Sequence, residues 1–164
     1  MKIPDKLYRE LNLQLNKELY SAYLYLSMAS QLDSMGFSGF ARWMKIQAKE
    51  ELEHAMKFYE YINDRGNRVV LEAIEKPPSE WESITEMFRH ALRHEEDVTR
   101  SIEHLVDLAR ETGDKATEVF LNWFVEEQVE EEKIFSEIVQ LLEYAGENPQ
   151  TILQLNARLG SRGD

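Results

Sequence analysis

Residues 66–81 read GNRVVLEAIEKPPSEW and stand apart from the rest of this 164-residue sequence. On both sides of the segment, apolar residues recur every three or four positions, which is the spacing of one face of an α-helix. The segment has no helix caps and is long for a connection within a compact domain. Fully extended at ~3.3 Å per residue it reaches about 50 Å, whereas a helix of ~28 residues is about 42 Å long. It can therefore run the full length of a helical bundle.

The remaining sequence has helical spacing almost throughout. Five helices are predicted, over about 4–33, 38–65, 82–111, 114–144 and 149–159. Pro4 suits a first helical turn, Ser38 is a possible cap, and Gly66 ends the second helix. The connections after the first and third helices are short enough only for antiparallel hairpins. The predicted fold is all-α, a four-helix bundle with one long crossover and a short fifth helix, and the final GSRGD (160–164) reads as a frayed tail.

Composition indicates one globular domain spanning residues 1–164. Hydrophobic residues make up 43% and charged residues 30%, which is typical of a folded rather than a disordered chain. The net charge of −12 argues against nucleic acid or anionic membranes as partners, because both repel it, and it suits cations. The sequence has no cysteine, which excludes disulfides, Cys-bound zinc and thiolate-held iron–sulfur clusters.

The compartment is predicted from what the sequence lacks. No apolar run approaches the ~20 residues that a membrane span needs. The first residues, MKIPDKLYRELNLQLNK, are amphipathic and contain no apolar signal core. We therefore expect a cytoplasmic protein.

Each long predicted helix carries a polar interruption on its apolar face. On the second helix the stripe contains both a carboxylate and an imidazole: Phe40, Met44, Ala48, Glu51, His54, Ala55, Phe58 and Ile62. The corresponding interruptions on the other helices are Glu18, Glu95, and Gln128 with Glu131. All lie within about two residues of a predicted helix midpoint, and midpoints in a bundle lie at one level. These side chains should therefore converge inside the core.

Four carboxylates buried in one dry core need cations to neutralise their charge. They would repel each other and raise each other's pKa, and an unpaired buried charge is very unfavourable. Two divalent ions would cancel the four charges, and an imidazole adds a nitrogen ligand suited to iron. Glu51 and His54 are three residues apart, so both can bind the same ion from one helix face. A single glutamate on such a stripe usually snorkels or forms an ion pair, but four at one level indicate a metal centre.

Two other classes of protein remain open at this point. A purely structural or partner-binding bundle would leave the central glutamates without a role, and equilibrium iron binding would separate it from a metal protein. A metal enzyme acting on an organic substrate needs a substrate pocket, and the bulky stripe residues leave no obvious one. Turnover with Fe(II) alone would distinguish that class.

Four short strings carry a resemblance to a known family: NKELYSAYLYL (16–26), EELEH (50–54), HEE (94–96) and EEQVEEEK (126–133). Together they resemble the ferritin family, over nearly the whole chain, crossover and fifth helix included. Bacterioferritins and rubrerythrins carry a second Glu-x-x-His where this chain has Gln128-x-x-Glu131. The helix position at which bacterioferritin holds haem with methionine is Leu52 here, so no haem is expected. The resemblance is to the non-haem bacterial-type ferritins.

The resemblance implies an iron centre made of two adjacent sites. The first would be formed by Glu18, Glu51 and His54, and the second by Glu51, Glu95 and Glu131, with Gln128 nearby. A third iron site is implied by three more glutamates: Glu50, Glu127 and Glu130. Tyr25 matches a tyrosine beside the centre, which adds it to the implied catalytic set.

Further residues match the family outside the centre. Trp123 matches an aromatic residue near the metal ions, although Tyr25 and Trp123 could equally serve core packing. Glu118 matches the acidic lining of three-fold pores that admit iron, and its alternative is an ordinary exposed helix residue. Glu111 and Asp114 are weaker matches to the same lining.

The resemblance also implies an activity and an assembly. Each bundle would act as a ferroxidase, oxidising two Fe(II) ions with O2 or peroxide. Twenty-four bundles would form a hollow cage that stores Fe(III) as an oxide mineral. The expected partners are then iron, the oxidant and further copies of the same chain, without nucleic acid or membrane.

Overall fold

The computed structural model describes residues 1–163, which form five helices. Their bounds are α1 Asp5–Ser34, α2 Ser38–Asp64, α3 Ile84–Thr112, α4 Lys115–Ala145 and α5 Pro149–Gly160. Each predicted helix agrees with these bounds within two residues at either end. No strand occurs among residues 1–163, so the predicted all-α fold is confirmed. Within the same residues, no helix is both long enough and apolar enough to cross a membrane.

The helix ends follow from local chemistry. Ser83 caps α3 by accepting a hydrogen bond from the backbone N–H of Glu86 at 3.0 Å. Gly113 then closes α3 with φ 72°, a left-handed conformation that favours glycine and permits the tight turn into α4. The predicted Ser38 cap is wrong, because Ser38 is the first residue of α2 and Phe37 precedes it without any side-chain cap hydrogen bond.

The long crossover between α2 and α3 is fastened along α1. Near its start, the Asn12 amide donates to the carbonyl of Val70 at 2.5 Å and accepts from its N–H at 2.9 Å. Near its end, the Gln31 amide makes the same pair of bonds to Trp81, both at 2.8 Å. Two side-chain amides of α1 thus form hydrogen bonds with backbone groups of an extended segment that belongs to no helix or sheet. The crossover therefore runs alongside α1 from Asn12 to Gln31, and its predicted reach is sufficient for that path.

The bundle interior consists of two apolar clusters with a polar layer between them. One cluster centres on Phe40, Phe88 and Phe135, and the other on Phe58 and Phe124. The pairs α1–α2 and α3–α4 pack as hairpins, α1 also packs on α3, and α5 packs mainly on α2. All eight residues of the predicted α2 stripe are buried.

Candidate metal centre

Four helices contribute side chains to the polar layer between the two apolar clusters. None of the following six residues is more than 4% exposed: Glu18, Glu51, His54, Glu95, Gln128 and Glu131. They come from α1, α2, α3 and α4, at the predicted common level. Burial of this many ionisable groups at one level has no counterpart elsewhere in the core described for residues 1–163.

Five of these side chains form two groups that could each hold a metal ion. The first group is Glu18, Glu51 and His54, and the second is Glu51, Glu95 and Glu131. Within each group the ligand atoms lie within 4.8 Å of one another. Glu51 belongs to both groups, so its two carboxylate oxygens could bridge two adjacent ions.

In the first group, two polar atoms face each other without a hydrogen bond. His54 Nδ1 lies 3.2 Å from Glu51 Oε2 and 3.9 Å from Glu18 Oε2. Neither His54 Nδ1 nor Glu18 Oε2 has a hydrogen-bond partner. Unpaired buried polar atoms are rare and need an explanation. A cation bound between them would provide one, and a carboxylate–imidazole donor set fits a divalent transition metal.

In the second group, hydrogen bonds fix the carboxylates from outside. Glu95 accepts from the Tyr25 hydroxyl and, at 3.0 Å, from Gln128 Nε2. Gln47 Nε2 donates to Glu131 Oε2 at 2.7 Å and to Glu51 Oε1 at 3.2 Å. Such bonds hold ligand groups in one orientation and leave their other lone pairs for an ion.

The electrostatics favour binding of positive charge. Burial is the largest cause that raises the pKa of Glu18, Glu51, Glu95 and Glu131 above the ordinary value of 4.5. Repulsion between the carboxylates adds to this, and together the two effects bring the pKa of Glu131 to about 9. Without metal the layer therefore holds protons near neutral pH. A divalent ion can replace those protons and restore the ionised carboxylates.

Comparison with known proteins identifies the family of this chain. The family model of the ferritin-like domain matches residues 8–145. The chain belongs to the ferritin family. It is 41% identical over 160 residues to a bacterial non-heme ferritin of Staphylococcus epidermidis, across 98% of this chain and 96% of that protein. It is 43% identical to the bacterial non-heme ferritin of Staphylococcus saprophyticus, across 93% of this chain and 91% of that protein.

Solved ferritin structures agree with this assignment. An open-pore ferritin from the hyperthermophilic archaeon Archaeoglobus fulgidus superposes with a TM-score of 0.98 at 48% identity. The superposition covers 99% of this chain and 100% of that one. A form of the same archaeal ferritin engineered to be closed also superposes with a TM-score of 0.98. The predicted resemblance to non-haem bacterial-type ferritins is thereby confirmed.

The two aromatic residues predicted near the centre both contact it in this ferritin. Tyr25 is fully buried, stacks on Phe135 and donates its hydroxyl proton to Glu95. Burial and the neighbouring Glu95 raise the pKa of Tyr25 well above its ordinary value of 10, which keeps the phenol protonated. Trp123 is 38% exposed and meets the His54 ring edge-on, with 5.3 Å between the ring centroids.

The structure does not gather the three glutamates predicted as a third site. Glu50, Glu127 and Glu130 do not appear as a three-ligand group among the described residues. Glu130 is exposed, and Glu50 Oε1 is bound at 2.8 Å by Arg162 Nη2. Glu50 and Glu127 nonetheless lie near enough to Glu131 to raise its pKa. The third site stays a prediction.

The predicted pore residues differ from one another in their surroundings. Glu118 Oε1 lies 2.7 Å from Arg110 Nε, and its side chain is 34% exposed. Asp114 is held by Arg65 at 3.0 Å and has a side chain only 7% exposed. A carboxylate so enclosed is poorly placed to line a pore, which leaves Glu118 as the stronger match.

Sequence reasoning missed the amides that hold the carboxylates. Gln47 lies four residues before Glu51, and Gln14 lies four residues before Glu18, donating to Glu18 Oε1 at 3.4 Å. The four-residue spacing on one helix face was the available signal. The predicted frayed tail is also wrong for Gly160 and Arg162, because Gly160 ends α5 and Arg162 packs against α2. Asp164 lies outside the described residues.

Proposed function

We propose that this ferritin is a ferroxidase that binds two Fe(II) ions as substrate at the buried layer. Each Fe(II) gives up one electron. The pair thus supplies two electrons, which together with two protons reduce O2 to hydrogen peroxide. If hydrogen peroxide is the oxidant, two electrons and two protons reduce it to two water molecules. The observation that carries the proposal is Glu51, a buried carboxylate shared by two three-ligand groups. A shared ligand holds both ions next to one another, as a two-electron step requires.

The remaining polar side chains near the layer orient the carboxylates that would bind Fe(II). The Tyr25 hydroxyl and the Gln128 amide orient Glu95, and Gln47 orients Glu51 and Glu131. Binding of Fe(II) displaces the protons that the raised pKa values hold on the carboxylates. The packed aromatic rings above and below keep water away and so strengthen every charge interaction inside.

Assembly into a 24-subunit cage that stores ferric oxide in the cytoplasm completes the proposal. The match to the archaeal ferritin supports it, since it extends over both whole chains. Large apolar side chains on the surface of α1, α2 and the crossover support it further: Tyr23, Leu26, Leu52, Met56, Tyr59, Val70 and Leu71. Exposed apolar side chains of this size are suited to burial between subunits. Ferric iron would leave the centre past Glu50, Glu127 and Glu130.

An anaerobic Fe(II) titration followed by oxygen addition tests the proposal. We expect the parent to bind about two Fe(II) per chain and to oxidise them with no organic substrate present. Replacing the shared ligand in Glu51→Gln should abolish tight binding of the pair and the fast oxidation. Glu53→Gln, an exposed α2 neighbour, is the matched control. Parent protein that binds no Fe(II), or a Glu51→Gln variant with parental kinetics, would contradict the proposal.

A further inference from the structure

The C-terminal tail, residues 160–162, lies against α2 through Gly160 and Arg162. The Arg42 guanidinium donates to the carbonyl of Gly160 at 3.1 Å and also to the carbonyl of Arg162. One helical turn earlier, Asn156 Oδ1 accepts from the backbone N–H of Phe40 at 3.0 Å. The tail therefore has a fixed path along the helix that carries Glu51.

This path brings the Arg162 guanidinium to the edge of the metal centre. Its Nη2 lies 2.8 Å from Glu50 Oε1, and its Nη1 lies 3.1 Å from Gln47 Oε1. The guanidinium also lies 4.7 Å from the centroid of the Trp43 ring. The Arg162 side chain, which makes these three contacts, is only 19% exposed.

The contact with Gln47 determines which way that amide points. A side-chain amide has an acceptor oxygen and a donor NH2 group, and arginine can only donate. Gln47 must therefore turn its Oε1 toward Arg162. Its Nε2 then points to the opposite side, where it donates to Glu131 Oε2 and Glu51 Oε1. A flipped amide would set NH2 against the guanidinium and an oxygen against two carboxylates.

We propose that Arg162 is a positioning residue for the metal centre, acting through the amide of Gln47 on Glu51 and Glu131. The proposal rests on the proposed function of the buried layer. When metal is bound, both carboxylates are ionised and accept hydrogen bonds only, so the donor side of Gln47 is the side they need. Arg162 holds that orientation in advance, which removes the cost of turning the amide during binding.

Binding of Co(II) to the full-length assembled protein tests this role. Co(II) can occupy nitrogen and oxygen ligands like those used by Fe(II), and its visible absorption reports the geometry of those ligands. We expect Arg162→Ala to weaken Co(II) binding about tenfold and to alter the visible bands. Arg162→Lys should restore part of the affinity. Arg158→Ala removes the same charge from an exposed position on α5 and is the matched control, expected to bind as the parent does.

A double-mutant cycle shows whether the effect passes through Gln47. In a Gln47→Ala background, Arg162→Ala should cause less than about twofold further loss, because the intermediary is already gone. Parental affinity in Arg162→Ala, an equal loss in Arg158→Ala, or an undiminished loss in the Gln47→Ala background would overturn the proposal. If the parent itself bound no Co(II) and oxidised no Fe(II), the proposed function would fail as well. If the parent did both while Arg162→Ala matched it, only the role of Arg162 would fail.

Discussion

Glu51 is an ionisable side chain buried in the core beside other ionisable side chains. It is 2% exposed, close to His54, and belongs to both three-ligand groups. Its pKa is raised first by burial and then by the charges of Glu95 and Glu131. Such a carboxylate is costly to keep in an apolar interior unless a cation accompanies it. At the scale of single residues, the buried carboxylates of the layer favour the binding of a cation and oppose the stability of the metal-free chain.

Loss of the imidazole should disable the centre and spare the fold. We expect His54→Ala to slow rapid Fe(II) oxidation by about 100-fold, since the first group loses its nitrogen ligand. Stopped-flow absorbance would measure the rate, with circular dichroism as the check on folding. His104→Ala, at an exposed site on α3, provides the control. A rate in His54→Ala equal to the parental rate would show that the ligand assignment is wrong.

The metal-free protein should lose stability as pH rises. The pKa of Glu131 is raised from 4.5 to about 9, so the folded chain holds a proton there that the unfolded chain has released. The stabilising contribution is fully present below pH 4.5 and is lost as pH rises toward about 9. We expect urea unfolding between pH 5 and pH 9 to show this decline in the parent. The Glu131→Gln variant, which cannot ionise, should show a weaker one.

Saturation with Co(II) should reverse that trend, because metal binding needs the ionised carboxylates and competes with protons. Glu137→Gln, on the exposed face of α4, is the control and should follow the parent. A Glu131→Gln variant whose stability declined with pH as steeply as the parent's would contradict the role assigned to this carboxyl group.

At the scale of elements, the backbones of α2 and α5 approach each other closely at two glycines. A Cβ atom added to Gly39 would lie 1.8 Å from the carbonyl oxygen of Asn156, and one added to Gly160 would lie 2.8 Å from the Gly39 Cα. Both distances are too short for any side chain. The two glycines let the helix backbones touch, and that approach places the tail with Arg162 against α2.

Replacing Gly39 should separate α5 from α2. The Cβ of Gly39→Ala would meet rigid backbone, so we expect a loss of about 1–3 kcal/mol in the free energy of unfolding. Urea denaturation would measure that loss, and Co(II) affinity should fall with it, because the contact between Arg162 and Gln47 depends on the same docking. Gly163→Ala is the control, since nothing lies within 4 Å of its added Cβ. Equal stability of the two variants would mean that α5 docks differently.

At the scale of the whole molecule, we predict that charge at the start of α4 affects the entry of iron. Glu118 lies ten residues before Gln128, about 15 Å along the helix from the metal layer. It is too distant to be a ligand, and Arg110 partly neutralises its charge. Three copies around a symmetry axis of the proposed cage would concentrate cations at that opening.

Removal of this charge should slow oxidation only when iron is scarce. We expect Glu118→Gln to reduce the initial rate severalfold at low Fe(II), with recovery at high Fe(II), because the metal centre is unchanged. Higher ionic strength should slow the parent more than the variant, since salt screens an attraction that the variant lacks. Arg110→Gln should act in the opposite direction and raise the rate. Identical rates across the whole Fe(II) range in assembled cages would remove Glu118 from the entry route.

The parts of this protein that the sequence by itself determined are those encoded by local spacing. The apolar stripes predict the helices, residues 66–81 predict the crossover, and Glu51 with His54 marks the level of the buried polar layer. Each follows from the fixed geometry of a helix, in which residues three or four apart share one face. The same spacing could have pointed to Gln47.

Only the tertiary structure decided the contacts between distant segments. Arg162 meets Gln47 and Glu50 across 115 and 112 residues of sequence, and no local pattern encodes that approach. It depends on two glycine contacts that set how closely α5 docks on α2. The ion pair of Arg65 with Asp114 likewise joins the residue that follows α2 to the residue that precedes α4. Such contacts depend on how whole helices pack, because a side chain finds its partner only after the backbones have been placed.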